Sequence, residues 1–274
     1  MKCYLINLDR APERMARMSK MLSDLDIPFE RVSAIDGQKF SQEELSDYRS
    51  QGVAGFDLSA GDIACGATHL MIMRKIIAGA DEYAAVMEDD IYVSADAKHY
   101  LCSDSWIPQD ADLVKLETSL MVTTISCKRI KLNKTRYLSR LLSHHSGAAL
   151  YIISRKAAKE IVDRFTPGMD CIDGDVFGKS LHRHNIYQIV PALGRQAAAG
   201  TSKGEGCLIS DIELQRGHYP DKTVITASKD EKPKGLKKVK RELIRSVTRL
   251  GQAILFTRLL LMKGHIVRKI PFKA

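Results

Sequence analysis

Short runs of apolar residues alternate along the chain with longer segments whose apolar residues recur every three to four positions. The first pattern predicts buried strands, and the second predicts amphipathic helices. Met15, Met18 and Leu22 recur at helical spacing behind Pro12, a residue suited to the first turn of a helix. The predicted strands lie at residues 3–8, 29–35, 83–87, 112–116, 150–153 and 186–190, and the predicted helices at residues 12–25, 62–78 and 155–164.

The alternation of strands and helices predicts an α/β protein with a mainly parallel mixed sheet. The opening strand–helix–strand unit is typical of a right-handed crossover between parallel strands. The sequence contains no internal repeat.

The composition is that of a folded protein, with 45% hydrophobic and 27% charged residues among 274. None of the six cysteines forms a CxxC pair, and the first residues do not have the pattern of a signal peptide. We therefore expect a reducing, cytoplasmic compartment. The longest apolar stretch, residues 253–262, is well short of the ~20 residues that span a bilayer.

The formal net charge of +9 is distributed unevenly. Residues 1–117 carry 12 basic and 21 acidic side chains, whereas residues 118–159 carry nine basic and no acidic ones. Residues 229–274 carry 14 basic and three acidic side chains. This distribution predicts a mildly acidic globular body over residues 1–228, with a basic insert, and a separate basic tail over residues 229–274.

The tail has an apolar stripe at helical spacing with basic residues around it, which predicts a basic amphipathic helix. Such a helix is suited to an anionic membrane surface, although packing on the body or in a dimer stays open. Nucleic acid is not an expected partner, because the body is acidic and the chain is poor in aromatic residues. The stripe consists of Leu236, Val239, Leu243, Val247, Leu250 and Ile254.

The basic residues at 128–140 have two interpretations. The simpler one is a solvated surface hairpin or loop. The functional one is a mobile flap over an anionic ligand.

Three consecutive carboxylates, Glu88, Asp89 and Asp90, follow a predicted buried strand. Like charges packed at a strand end are costly unless a cation compensates them, and Mg²⁺ or Mn²⁺ prefers carboxylate oxygen. The alternative is an acidic turn in water. Asp173 lies near a predicted helix start, where an aspartate is either a general base or a helix cap. His69 lies inside a predicted helix, where a lone histidine is more often structural.

Several segments, taken in order, resemble glycosyltransferase family 25, and within it the bacterial lipooligosaccharide galactosyltransferases. They include INLDRAPER at residues 6–14, GDIACGATH at 61–69, VMEDDI at 86–91 and VKLET at 114–118. Further segments are at residues 27–37, 147–157, 172–173, 177–178 and 191–196. Each motif is modest alone, whereas their order and spacing are specific.

The resemblance implies a GT-A type nucleotide-sugar transferase fold. It also implies transfer of galactose from UDP-galactose, with inversion, to a sugar hydroxyl of a lipid-linked lipopolysaccharide core. We expect Mn²⁺ or Mg²⁺ as the cofactor and a peripheral position on the inner face of the inner membrane. The alternatives are a transferase using UDP-glucose or a UDP-N-acetylhexosamine, or a non-catalytic membrane-binding protein on a degenerate transferase scaffold.

The resemblance also implies residue roles. Glu88 and Asp90 fall on the acidic motif and would hold the metal, with Asp89 beside them at the nucleotide end. Asp173 is expected to be the base that activates the acceptor hydroxyl. A histidine found in relatives near residues 197–210 is absent, so a third metal ligand stays open.

The remaining implied residues contact the substrates. The first-strand motif would hold the uridine or the diphosphate, because arginine binds phosphate through its forked donors. Its residues are Asn7, Arg10 and Arg14. Substrate contacts without a specific role are expected from His69, Glu117 and Gln196.

Overall fold

The computed structural model of the protein describes residues 1–50, 58–197 and 263–274. The strands are β1 (Lys2–Asn7), β2 (Glu30–Ser33), β3 (Tyr83–Glu88), β4 (Ile91–Val93), β5 (Leu113–Lys115), β6 (Glu117–Thr118), β7 (Val122–Ser126), β8 (Ile130–Lys131), β9 (Tyr137–Arg140), β10 (Leu150–Ser154), β11 (Ile186–Val190), β12 (Gly194–Gln196) and β13 (His265–Lys269). The helices are α1 (Pro12–Asp24), α2 (Gln42–Ser50), α3 (Ala60–Ala78), α4 (Lys98–Leu101), α5 (Arg155–Arg164) and α6 (Ile172–Val176).

The main sheet has eight strands in the order β2-β1-β3-β10-β5-β11-β9-β8. β1 is parallel to both β2 and β3, and β11 is parallel to β5. β10 is antiparallel to its two neighbours, and β9 is antiparallel to β11 and to β8. Most of the strands therefore share one direction, and the predicted α/β class with a mixed sheet is confirmed. A smaller sheet, in the order β4-β12-β6, lies beside it.

The core lies on both faces of the main sheet, because the buried residues of β1 belong alternately to one face and to the other. Tyr4 and Ile6 pack with residues of α3 and α5 on one face. Leu5, the residue between them, packs on the other face with Met18 and Leu22 of α1. Side chains of successive strand residues point to opposite faces, so one fully buried strand supplies both layers.

Two local features determine where α1 and α3 begin. Pro12 is at the start of α1, as predicted from its fixed φ and missing N–H. α3 begins with a capping box, in which the Ser59 hydroxyl accepts from the backbone N–H of Asp62 at 3.1 Å. The cap holds the first turn of α3 beside the ends of β1 and β3.

The last residues of the chain are a strand, not part of a helix. β13 pairs antiparallel with β7, and Ile270 is fully buried. The Thr118 hydroxyl donates to the carbonyl oxygen of Ile270 at 2.8 Å. The helical tail predicted over 229–274 is therefore wrong at its end, where the chain packs on the body. The apolar stripe at 236–254 lies outside the described residues.

The basic block at 128–140 forms a hairpin of β8 and β9 on the edge of the main sheet. Arg136 is 1% exposed, and its Nε and Nη2 donate to the two carboxylate oxygens of Asp96 at 2.8 and 2.6 Å. Its Nη1 donates to the carbonyl oxygen of Pro191 at 2.7 Å. The simpler interpretation, a surface hairpin, is confirmed, because four of the six basic residues are exposed while the buried Arg136 anchors the hairpin to the body. The interpretation as a flap over an anionic ligand stays a prediction.

None of the described helices is both long enough and apolar enough to cross a membrane.

Candidate active site

A cavity opens where the carboxyl ends of β1 and β3 meet the first turns of α3. The two strands are parallel neighbours, with Ile6 opposite Glu88 in the register, so the polar residues that follow each strand lie side by side. Ligands of α/β sheets bind at this edge. Seven of the ten predicted site residues line the cavity, namely Asn7, Arg10, Arg14, His69, Glu88, Asp89 and Asp90.

Asp89 is compensated by residues of β1 and α1. The Asn7 side-chain amide donates to Oδ2 of Asp89 at 2.6 Å, and Arg14 Nη1 lies 3.5 Å from Asp89 Oδ1. All three side chains are nearly fully buried. Arg10, which is about one-third exposed in the same cavity, pairs with Asp36 at 3.0 Å. The predicted donor-binding residues are thus brought together, with Asn7 and Arg14 joined to the acidic motif.

Asp90 is in the opposite electrostatic situation. It is 5% exposed, and its Oδ1 has no hydrogen-bond partner among the described residues. Burial, followed by the charges of Glu88 and Asp89, raises the pKa of Asp90 well above its ordinary value. A hard divalent cation would relieve both costs, because it supplies positive charge and a ligand position for that oxygen. Glu88 and Asp90 therefore fit the predicted metal.

Glu88 is the residue on which several elements converge. Its Oε1 lies 3.3 Å from Nε2 of His69 and 4.0 Å from Sγ of Cys65, both on α3. Its Oε2 lies 3.5 Å from Nε2 of Gln196. Gln196 reaches this position because β12 pairs with β4, which begins just after the acidic motif. The predicted residues His69, Glu88 and Gln196 therefore form one group.

Asp173 lies in the first turn of α6 and faces the loop before β10. Its Oδ2 accepts from the backbone N–H of Gly147 at 2.8 Å, and its Oδ1 accepts from the N–H of Gly174 at 2.9 Å. Asp173 is not the cap of this helix, because the N-cap position is occupied by Cys171. The capping interpretation of Asp173 is therefore wrong, and the carboxylate is oriented by a loop.

A buried ion pair supports that loop. Lys115 and Glu117 are both 0% exposed, with Nζ 3.2 Å from Oε1. Lys115 also donates to the carbonyl oxygen of Gly147. Burial lowers the pKa of Lys115 and raises the pKa of Glu117, while their contact acts in the opposite direction on each. Glu117 Oε2 has no partner among the described residues.

Only glycine is suited to position 147. Gly147 has φ +93°, and a Cβ there would lie 2.8 Å from Oε1 of Glu117. The close approach lets the Gly147 N–H reach Asp173 while its carbonyl oxygen reaches Lys115. Cys171, two positions before Asp173, has its Sγ 3.8 Å from Oδ1 of Asp62 in the first turn of α3. The Asp173 helix therefore adjoins the helix that lines the cavity.

Comparison with known proteins identifies the chain. The profile described as "Glycosyltransferase family 25 (LPS biosynthesis protein)" matches residues 1–173, which is more than half of the sequence. The chain belongs to glycosyltransferase family 25. It is therefore a glycosyltransferase of lipopolysaccharide biosynthesis, and the family implies a nucleotide-sugar donor and an oligosaccharide acceptor.

Relatives of this family-25 chain include proteins of two bacterial genera. It is 27% identical to the lipooligosaccharide biosynthesis protein lic2B of Haemophilus influenzae, over 88% of this chain and 95% of that one. It is 30% identical to the lacto-N-neotetraose biosynthesis glycosyltransferase LgtB of Neisseria meningitidis, over 72% and 74%. The solved galactosyltransferase LgtC is 11% identical over 79% and 94%, with a TM-score of 0.40, which is too distant to bear on function.

Two residues of this family-25 site were not predicted from the sequence. Lys115 lies inside an apolar strand, two positions before Glu117. A lysine and a glutamate at that spacing point to the same face of a strand, which is the signal for a buried ion pair. Cys65 is four positions before His69, which is the spacing of two side chains on one helix face. Both residues lie against carboxylates that were predicted.

Proposed function

We propose that this glycosyltransferase transfers galactose from UDP-galactose, with inversion, to a sugar hydroxyl of a lipopolysaccharide or lipooligosaccharide core, on a GT-A type fold and with Mn²⁺ or Mg²⁺. The observation that carries the proposal is the cavity beside β1 and β3. It combines an uncompensated buried carboxylate, Asp90, with two arginines, Arg10 and Arg14. This is the charge arrangement that a diphosphate with a divalent cation requires.

In this proposal the donor binds along the cavity. Glu88 and Asp90 hold the cation, which when bound supplies positive charge that stabilises the departing diphosphate. Arg10 is the more exposed of the two arginines and contacts the diphosphate. Asn7 and Asp89 keep the acidic motif in position through their 2.6 Å hydrogen bond.

The acceptor is activated by Asp173. A single inverting displacement needs a base on the face opposite the leaving group, and Asp173 takes the proton of the acceptor hydroxyl as that oxygen attacks. The N–H groups of Gly147 and Gly174 orient the carboxylate at 2.8 and 2.9 Å. His69 and Gln196, which both lie against Glu88, complete the substrate contacts. Glu117 is fully buried against Lys115 and supports the loop that orients Asp173 instead.

The experiment is a donor panel. The full-length protein is incubated with Mn²⁺, purified core oligosaccharide and, in turn, UDP-galactose, UDP-glucose and UDP-N-acetylhexosamines, and UDP release is measured. We expect turnover with UDP-galactose that EDTA abolishes and that added Mn²⁺ restores. Faster turnover with another donor would replace galactose by that donor's sugar as the group transferred. No turnover with any donor, by protein that is folded, would contradict the enzymatic proposal.

We also propose that the protein binds the anionic inner face of the membrane through its basic segment. A basic side chain near such a surface contributes about 1 kcal/mol, so several give reversible binding. The test uses the full chain, because β13 follows the segment and packs on the body. The variant replaces five basic residues by Gln, and they are Lys237, Lys238, Arg241, Arg245 and Arg249.

The measurement is co-sedimentation with vesicles that contain anionic lipid. The unaltered protein is expected to sediment with them and to dissociate at high salt, whereas the variant stays in solution with an unchanged unfolding temperature. Equal sedimentation of the two proteins would assign membrane binding elsewhere. A lowered unfolding temperature would indicate that the segment packs on the body instead.

A further inference from the structure

Three potential metal ligands converge at one wall of the cavity. Cys65 and His69 are four positions apart on α3, and Glu88 ends β3. Nε2 of His69 is 3.3 Å from Oε1 of Glu88, Sγ of Cys65 is 4.0 Å from the same oxygen, and all three atoms lie within 4.8 Å of one another. Each of the three residues lines the cavity, where His69 is buried and Glu88, with 21% of its side chain exposed, is the more open of those two.

The spacing of these atoms is close to that of a tetrahedral zinc site. Zn²⁺ bonds of about 2.0–2.3 Å place neighbouring ligand atoms about 3.3–3.8 Å apart. Nε2 of His69 is already at such a distance from Oε1 of Glu88, and a small rotamer change would bring Sγ of Cys65 to one. Three protein ligands leave the fourth position open toward the cavity, as in zinc sites that bind water or substrate.

His69 has the partner that a ligating histidine requires. Its Nδ1 is 2.9 Å from the hydroxyl of Tyr151, which is fully buried in β10. Without a cation, an N–H at Nε2 faces Glu88 and the Tyr151 hydroxyl donates to Nδ1. With a cation at Nε2, the proton is on Nδ1 and the Tyr151 oxygen accepts it. A hydroxyl accommodates both arrangements by rotation, so the same Tyr151 contact orients the His69 ring in each.

We propose that Cys65, His69 and Glu88 form a binding site for a thiophilic divalent cation of the Zn²⁺ type. Binding removes the thiol proton of Cys65 to solvent, forms bonds from the cation to sulfur, nitrogen and oxygen, and leaves the imidazole neutral. The site differs from a Mg²⁺ or Mn²⁺ site, because those ions prefer oxygen ligands whereas thiolate and imidazole suit Zn²⁺. It shares Glu88 with the proposed catalytic cation.

The shared ligand gives the site a function. A Zn²⁺ ion at Cys65 withdraws Glu88 from the catalytic cation and occupies the cavity that the donor would enter. We therefore expect micromolar Zn²⁺ to inhibit transfer. This consequence rests on the proposed function, whereas binding of the cation does not, so the two are tested separately.

Binding is tested with Co²⁺, which replaces Zn²⁺ and absorbs light. Full-length protein kept reduced with a phosphine is titrated with Co²⁺. We expect one equivalent to produce a thiolate-to-cobalt charge-transfer band, which added Zn²⁺ removes. The band should be lost in Cys65→Ser and retained in Cys127→Ser, in which an exposed thiol is replaced instead. The readout is independent of transferase activity.

No band in the folded protein, or an equal band in Cys65→Ser, would overturn the proposal. If Cys65→Ser fails to fold by circular dichroism, the unaltered protein supplies the second measurement. Zn²⁺ should then slow alkylation of Cys65, mapped by mass spectrometry, at least tenfold while Cys127 reacts as before. Equal alkylation of Cys65 with and without Zn²⁺ would also overturn it.

Discussion

The side-chain amide of Asn7 donates to Oδ2 of Asp89 at 2.6 Å, and this bond joins the ends of the parallel neighbours β1 and β3. Arg14 adds a positive charge 3.5 Å from the other carboxylate oxygen. The next residue, Asp90, is equally buried, yet its Oδ1 has no partner among the described residues. Asp89 is thus compensated by protein groups, whereas Asp90 beside it has an oxygen suited to a cation.

The first prediction compares Asp89→Asn with Asp90→Asn. Asp89→Asn weakens the contacts to Asn7 and Arg14 and should lower the free energy of unfolding by about 1–3 kcal/mol. Asp90→Asn removes a buried charge whose pKa is raised, so the metal-free protein should be as stable or more stable. Urea unfolding in EDTA measures both. A larger destabilisation in Asp90→Asn than in Asp89→Asn would contradict the assignment.

The Asp90→Asn variant also has an effect on activity that can be measured. Asp90→Asn should lower Mn²⁺-dependent turnover at least about a hundredfold, since a ligand of the catalytic cation is lost. Measurement of UDP release against Mn²⁺ concentration would show this. Turnover of Asp90→Asn that saturates at the unaltered Mn²⁺ concentration would remove Asp90 from the metal site.

A second prediction concerns Asp173, the proposed base. Asp173→Asn should lower kcat by about 10²–10⁴, the contribution of a general base, and leave the Kd for UDP within about twofold. Asp170→Asn is the matched control, because Asp170 lies three positions earlier and pairs with Lys179 at 2.9 Å. Single-turnover transfer and UDP titration separate the two quantities. A weaker UDP affinity with an unchanged kcat would place Asp173 in donor binding instead.

The parts of this molecule that follow from local pattern could be predicted. The apolar run of β1 and the helical spacing of Met18 and Leu22 are patterns within single elements. Burial of such a pattern stabilises the element whatever it packs against. The acidic motif was predicted at the end of β3 for the same reason. The pairing of Asp89 with Asn7 was not, because 82 positions separate them.

The failures involve single side chains or distant partners. Arg136 was assigned to a solvated basic run, since composition does not show which one of several basic residues turns inward to Asp96. β13 was assigned to a helical tail, because its partner β7 is far away in the sequence. Lys115 was missed since its charge is compensated only once Glu117 and Gly147 are in place.

The third prediction tests the anchored hairpin. Arg136→Met should lower the free energy of unfolding by about 1–3 kcal/mol, because the buried carbonyl oxygens of Pro191 and Ala192 lose their donor while the half-exposed Asp96 regains water. Lys134→Met, at an exposed position of the same basic run, should change it by less than about 0.5 kcal/mol. Urea unfolding at pH 7 gives both values. Similar small changes in the two variants would favour a solvated hairpin after all.

The fourth prediction concerns His145, which is 1% exposed and has its Nδ1 2.9 Å from Oε1 of Gln188. Burial, together with the charge of Lys115, lowers the pKa of His145 from 6.5 to about 3. His145 therefore becomes protonated near pH 6.5 in the unfolded chain but stays neutral there in the folded protein. Acidification through this range favours unfolding. At pH 5 this residue should reduce the free energy of unfolding by about 2 kcal/mol relative to pH 8.

The measurement is urea unfolding of the unaltered protein and of His145→Asn at pH 8 and at pH 5. Other groups that titrate in this window, such as His184, whose pKa burial also lowers, contribute equally to both proteins. The loss of stability on acidification should therefore be smaller in His145→Asn by about 2 kcal/mol, because asparagine has no proton to gain. An identical loss in the two proteins would mean that His145 is protonated in the folded state, with a cation tolerated beside Lys115.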